Sequence, residues 1–268
     1  MLKKLLVLSA FLTISLSASA WGSAHKVIAY IAYHHLTEKT RTTIDEFLDN
    51  PMWEYAMWPD QVVSTKAYRH TGLWHVASVD EEGRECEPLR VRRDLLKYGM
   101  DGQASQRTRE CMNNLMQEGI SDSMHFVNLV YIIHSVGDIH CPAHIYFKGI
   151  DHSIFDYGFF RLNYEGTPIT YHGLWDGAPN KLYKGYSLER FRKHLDRYTP
   201  EQIAEITAGD LNDWIYRSSQ KCVKIYDWAK PGDNVTIDFL MDHADLVDFQ
   251  LVSAAYRLAT MLNQIYDR

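Results

Sequence analysis

The sequence predicts a mainly α fold, a single-domain multi-helix architecture carrying one small β-hairpin, and three observations lead there. Apolar residues recur at helical spacing through Ala24 to Leu36, Arg41 to Leu48, Ser105 to Gln117, Asp122 to Ile139, Trp214 to Trp228 and Ala244 to Tyr266. The fourth of these stretches is apolar around most of its circumference, with Met124, Val127, Val130 and Ile133 on one line and Phe126, Leu129, Ile132 and Val136 beside it. Such a helix belongs in the middle of a domain. Apolar and polar residues alternate from Phe159 to Tyr171 around Glu165-Gly166-Thr167-Pro168, the pattern of a hairpin.

The ends of the central helix are marked locally. Ser121 or Asp122 can cap its first turn, and Pro142 stops it because proline supplies no amide hydrogen for the next helical bond. The chain must therefore turn just after Asp138.

The first 20 of the 268 residues have the layout of an export signal: Lys3 and Lys4, an apolar stretch from Leu5 to Leu16, and the small-residue ending Ala18-Ser19-Ala20. The stretch is short for a membrane span of roughly 20 residues, so cleavage before Trp21 is expected over anchoring. The expectation is a secreted or periplasmic monomer without a membrane anchor, with one domain over 21–268. Without the signal, 26 basic side chains face 34 acidic ones, a formal charge of −8, which excludes nucleic-acid binding through a broad basic surface. A phosphate-bearing substrate would have to be held locally. The 13 histidines and 7 tryptophans stand out, since imidazole is the commonest metal ligand. Cys86, Cys111, Cys141 and Cys222 suggest disulfides in an exported chain, with three connectivities open, and none forms a C-x-x-C pair.

Chemistry gathers around two i, i+4 pairs. His134 and Asp138 lie about 40° apart on the central helix and can present a nitrogen and a carboxylate oxygen to one point. An ionised carboxylate in so apolar a helix needs a partner. His144 follows just beyond Pro142, where the chain can fold back toward the same pocket, while His140 and His152 are expected on the surface or behind the ligands. His172 and Asp176 repeat the pattern after the hairpin. Asp60 follows Trp58-Pro59, and His75 sits in Leu73-Trp74-His75-Val76, each beside large aromatics that exclude water. Cleavage before Trp21 would free an α-amino group able to lose its proton to a metal, with His25 one helical turn on.

In this order the residues Trp21-Gly22…His25, Trp58-Pro59-Asp60, His75, His134-x-x-Gly137-Asp138-x-x-x-Pro142-x-His144 and His172-x-x-Trp175-Asp176 resemble the single-strand-specific zinc nucleases of the fungal S-one/P-one type and their plant and bacterial relatives. The likeness extends to Tyr256-Arg257-Leu258-Ala259 in the final helix. It implies a mainly α domain holding three zinc ions. One would be held by Asp60, His75 and His134, a second by His144, His172 and Asp176, and a third by the amino and carbonyl groups of Trp21 with His25. Asp138 would bridge the first and third, and Asp60 and Asp138 would be catalytic. The implied partner is a single-stranded nucleic acid or nucleotide, cut to 5′-phosphorylated products by a metal-activated water, with 3′-nucleotidase activity from the same geometry.

The chain departs from that pattern at Val76 and Ser78, where fungal members carry an aromatic and an acidic base contact, and at Gln61, Val62 and Val63, where an arginine is absent. Lys66 and Arg69 are candidate replacements. Arg90, Arg92, Arg93 and Lys97 are expected to be no more than a solvated face. By position Cys86 and Cys222 are the candidate disulfide. Two other readings fit parts of the pattern: a zinc phospholipase C, which shares the three-metal arrangement and amino-terminal tryptophan, and a non-catalytic zinc-stabilised binding protein. Asp176 in place of the phospholipase glutamate favours the nuclease, and nine ligating residues for three ions leave room for water, which favours catalysis.

Overall fold

The computed structural model describes residues 22–86, 103–148 and 160–268. Helix α1 (Gly22–His34) buries Ala24, Val27, Ile28, Ile31 and Ala32, the i, i+3, i+4, i+7, i+8 stripe of an amphipathic helix. That stripe packs on the last and longest helix, α13 (Ala244–Tyr266), which buries Val247, Leu251, Ala254, Leu258 and Leu262 in turn. Packed against both is α5 (Asp122–Asp138). The Ser121 hydroxyl accepts from the Met124 amide at its start, and every residue from Asn128 to Asp138 is buried. The helix expected at the centre is at the centre, and its carboxy-terminal turn opens on the functional site.

The other elements close around this core. Helices α2 (Glu38–Phe47) and α4 (Ala104–Leu115) match the expected periodic stretches. The run expected over Trp214 to Trp228 divides into α10 (Leu211–Cys222) and α11 (Ile225–Trp228). Its backbone stays helical through Val223 and Lys224, but Tyr226 and Asp227 bond three residues back rather than four, which tightens the turn. Short helices without a periodic stretch long enough to announce them are α3 (Trp58–Val62), α6 (Tyr171–Asp176), α7 (Ala178–Leu182), α8 (Leu188–Leu195), α9 (Pro200–Thr207) and α12 (Ile237–Asp242). At the start of α9, Thr199 and Gln202 form a reciprocal capping box around Pro200.

Two small sheets brace the site. β1 (Ala77–Val79) pairs in parallel with β2 (Ile145–Phe147), Ala77 opposite Ile145, and so ties the backbone after His75 to that after His144. The expected hairpin is β3 (Arg161–Tyr164) with β4 (Thr167–Thr170), turned by Glu165 and Gly166, both at positive φ. Its first residue, Phe159, lies outside the described residues. β5 (Asn234–Val235) adds a third strand in parallel to β3, a pairing too short to be read from sequence. Buried apolar side chains from most of these elements form one contiguous core, with Trp58, Ile169 and Val235 half-buried against it. No helix among the described residues is long and apolar enough to cross a membrane.

Candidate metal centre

Several local structures converge on the end of α5. Its last turn presents His134 and Asp138. Helix α3 supplies Asp60, a 3-10 turn (Arg69–His75) ends in His75, and a second (Pro142–His144) ends in His144. Helix α6 supplies His172 and Asp176, and α1 supplies His25.

The Asp138 carboxylate is the hub. Its Oδ2 lies 3.0 Å from both His134 Nε2 and His75 Nδ1, and its Oδ1 lies 2.8 Å from His144 Nδ1 and 3.4 Å from His25 Nε2. On the first side, Asp60 Oδ1 stands 3.5 Å from His75 Nδ1 and from His134 Nε2, which are themselves 3.0 Å apart. On the second, His144 Nε2 lies 3.1 Å from His172 Nε2 and from Asp176 Oδ1, and His172 Nε2 lies 3.1 Å from Asp176 Oδ2. The His25 ring stacks on His134 with centroids 3.9 Å apart. Gly137 makes room for it, since a Cβ there would lie 2.5 Å from His25 Nδ1.

Whether these donors fit a metal is decided by one tautomer. His134 Nδ1 lies 2.8 Å from the Ala56 carbonyl, which can only accept, so Nδ1 carries a proton in every state and Nε2 of the neutral ring turns a lone pair inward. That lone pair faces carboxylate oxygens of Asp60 and Asp138 and a second imidazole. Lone pairs gathered at 3.0 to 3.5 Å repel unless a proton, or a metal ion that displaces it, stands among them. A second carboxylate agrees: Asp60 Oδ2 is buried without a hydrogen bond. Imidazole and carboxylate together are a zinc-type donor set.

Electrostatics point the same way. Burial alone would lower the His134 pKa, but Asp138 and Asp60 beside it raise it to about 9. His144 is likewise raised well above its ordinary value, against the effect of burial, by Cys141, Asp138 and Asp176. Burial opposes ionisation of Asp138 and Asp176, yet the surrounding imidazoles hold both carboxyls well below the usual range. The protons thus fall where a bound cation would compete. His25 is instead lowered, first by burial and then by His134.

The cluster is sealed on one side and open on the other. His25, His134, Asp138, His144 and Asp176 are buried, whereas the side chains of Asp60, His75 and His172 keep 18, 14 and 12 % of their surface. These three side chains are where the cluster reaches solvent. Lys66 and Arg69 are exposed.

Of the nine ligands expected from sequence, Trp21 lies outside the described residues and the other eight come together. Arg90, Arg92, Arg93, Lys97 and His152 also lie outside them. His140, expected on the surface or behind the ligands, is fully buried behind them: its Nδ1 bonds the Val136 carbonyl at 2.6 Å. The expected Cys86 to Cys222 disulfide is not formed, and no disulfide occurs among the described residues. Cys222 Sγ instead accepts from Gln250 Nε2 at 3.2 Å inside the core. Sequence alone leaves Cys141 unassigned, and the structure puts its Sγ 3.4 Å from Asp176 Oδ1. Its place between Asp138 and His144, directly before Pro142, is the one signal the sequence offers.

Comparison with known proteins agrees with this geometry. The S1/P1 Nuclease family model matches residues 21–267. The chain is 22% identical to Endonuclease 4 of Arabidopsis thaliana, with 93% of this chain and 90% of that protein covered. It is 21% identical to Nuclease P1 of Penicillium citrinum, over 92% of this chain and 98% of that protein. It is 25% identical to Nuclease S1 of Aspergillus oryzae, over 72% and 66%.

Proposed function

Because the chain belongs to the S1/P1 nuclease family, we propose that it is an exported zinc-dependent phosphodiesterase that cuts single-stranded DNA and RNA to 5′-phosphorylated products and also removes 3′-phosphates from nucleotides. The observation that carries the reading is the Asp138 carboxylate shared between ligand groups on either side of it. His134, His75, Asp60 and Asp138 would hold one zinc ion and His144, His172 and Asp176 a second. His25 would hold a third with Asp138 and the terminal amine of Trp21, freed by cleavage after Ala20.

Zinc bound there supplies Lewis acidity and a water that ionises near neutral pH. The protein's own part is placement. Asp60 and His75 stand at the open edge, where a phosphodiester can reach the cluster without a wide groove. This suits a chain of net negative charge, which attracts a polyanion only through a local cationic site. The Ala56 carbonyl fixes the His134 tautomer and so keeps its Nε2 available to the metal. Stacking on His134 and contact with Gly137 hold the His25 ring in one orientation. Preference for single strands would follow from an edge that receives an unstacked base.

The test uses the mature chain beginning at Trp21, incubated with single-stranded DNA, RNA, a 3′-nucleotide and phosphatidylcholine, each with and without chelator. Chelator-sensitive cleavage of the nucleic acids to 5′-phosphorylated ends is expected. Hydrolysis of phosphatidylcholine alone would replace this reading with lipid chemistry, and no hydrolysis of any substrate by zinc-loaded protein would end it.

A further inference from the structure

We infer that Cys141 is a fourth protein ligand of the second metal position, joining His144, His172 and Asp176. This rests on the proposal that the cluster binds metal, and it adds a sulfur donor to the set expected there.

The local backbone delivers the thiol to the right place. Cys141 is extended, at φ −66° and ψ 125°, immediately before the 3-10 turn of Pro142–His144. The His144 amide closes that turn by donating to the Cys141 carbonyl at 3.0 Å. One short bend therefore aims both side chains at a common point. Cys141 is fully buried, so its sulfur faces the cluster or the core and never solvent.

The spacing is that of a coordination shell. Cys141 Sγ lies 3.4 Å from Asp176 Oδ1, and single donor atoms of Cys141, His144 and Asp176 all fall within 4.8 Å of one another. His144 Nε2, His172 Nε2 and the Asp176 oxygens are separated by 3.1 Å. For tetrahedral zinc with bonds of about 2.3 Å to sulfur and 2.0 to 2.1 Å to nitrogen or oxygen, neighbouring ligand atoms stand roughly 3.3 to 3.6 Å apart. The separations of Asp176 Oδ1 from Cys141 Sγ and from His144 Nε2 lie within a few tenths of an ångström of those values. On ligation the thiol S–H bond is replaced by a sulfur–metal bond and the proton leaves to solvent. Asp176 Oδ1 exchanges the thiol hydrogen bond for the metal.

The two sides of the cluster then differ in kind. The first position then has nitrogen and oxygen donors alone, while the second has four protein donors, one of them soft. A soft sulfur favours zinc and cobalt over magnesium, calcium or manganese.

Cobalt(II) loaded into the mature chain in place of zinc reports the sulfur directly, without any assay of activity. A near-ultraviolet thiolate-to-cobalt charge-transfer band is expected at one thiolate per chain. Cys141→Ser should abolish it and retain the visible cobalt bands, whereas Cys111→Ser and Cys222→Ser should keep it. Visible bands of bound cobalt with no charge-transfer band in the wild-type chain overturn the inference and leave the metal reading intact. Survival of the band in Cys141→Ser overturns it equally. No cobalt uptake at all overturns both. Should Cys141→Ser not fold, the wild-type spectrum together with the Cys111 and Cys222 variants still decides.

Discussion

Arg257 Nη1 lies 2.6 Å from His140 Nε2, and both side chains are buried. His140 gives its Nδ1 proton to the Val136 carbonyl, so Nε2 is an acceptor and the ring is neutral. Arg257 Nε donates to the Ile206 carbonyl, and its guanidinium lies over the Trp214 ring. Burial lowers the Arg257 pKa to about 9, which leaves it charged at neutral pH. Two helical turns earlier on α13, Gln250 Nε2 donates to the His140 carbonyl at 2.8 Å. The longest helix thus grips, through a side chain and a carbonyl of one residue, the segment that joins Asp138 to His144.

Arg257→Met keeps most of the volume but removes the donor to His140 and to Ile206. Stability should fall by about 1 to 3 kcal/mol, the range for losing hydrogen bonds from a charged group and stranding their acceptors. At roughly 2 to 4 °C per kcal/mol for a chain of this size, thermal unfolding resolves the change. An unchanged midpoint would show that the guanidinium only fills space.

The metal stoichiometry should depend on which carboxylate is lost. Asp138 touches His75, His134, His144 and His25, whereas Asp176 touches His144, His172 and Cys141. Asp138→Asn should therefore lower bound zinc by more than one ion per chain and Asp176→Asn by about one. Elemental analysis after dialysis measures both, and equal losses would contradict a shared ligand.

Most of this site can be read from sequence because the candidate ligands sit on strong local signals. His134 and Asp138 share a face of an unmistakable helix, and Pro142 announces the bend that returns His144. The hairpin and the i, i+4 spacing of His172 and Asp176 likewise survive without tertiary information. The grip of Arg257 on His140 cannot be read, because 117 residues separate the two and only packing brings α13 behind the ligand turn. Cys141 is illegible for a related reason, since the orientation of a thiol at a helix exit depends on backbone angles that no periodicity encodes. The short helices α6 to α9 escape because one or two turns carry too little hydrophobic repeat, and α9 is marked only by its capping box.

Gly137 is a steric requirement of the site. Gly137→Ala would set a methyl 2.5 Å from Nδ1 and 2.8 Å from Cε1 of His25, closer than real contacts allow. Alanine is the better helix former and would stabilise an unconstrained helix by about 1 kcal/mol. Here the His25 ring must leave its stack on His134. The variant should lose zinc affinity at the His25 position and at least tenfold in activity, while its circular dichroism stays helical. Full activity would show that His25 can move without consequence.

Acid should loosen the far side of α1 through Asp196. Its Oδ1 accepts from His35 Nε2 at 2.9 Å and Tyr256 OH at 2.8 Å, joining the turn after α1 and α13 to the end of α8, with Arg192 3.8 Å from Oδ2. Burial alone would raise this carboxyl, but the bonds from His35 and Tyr256 and the nearby cations hold it below its ordinary 3.8. A folded-state pKa below the unfolded one means that the unfolded chain takes up the proton first as pH falls. The stabilisation is therefore fully present above about pH 4 and is lost as pH drops from there through the folded value, at up to about 1.4 kcal/mol per pH unit. Asp196→Asn should be less stable than the wild type by about 1 to 3 kcal/mol at pH 7. That gap should shrink steadily below pH 4. Urea unfolding of both proteins at pH 7, 5, 4 and 3 gives the difference directly, and effects common to both, such as loss of metal in acid, cancel in the comparison. A gap constant across this range would mean that Asp196 stabilises the fold without its charge.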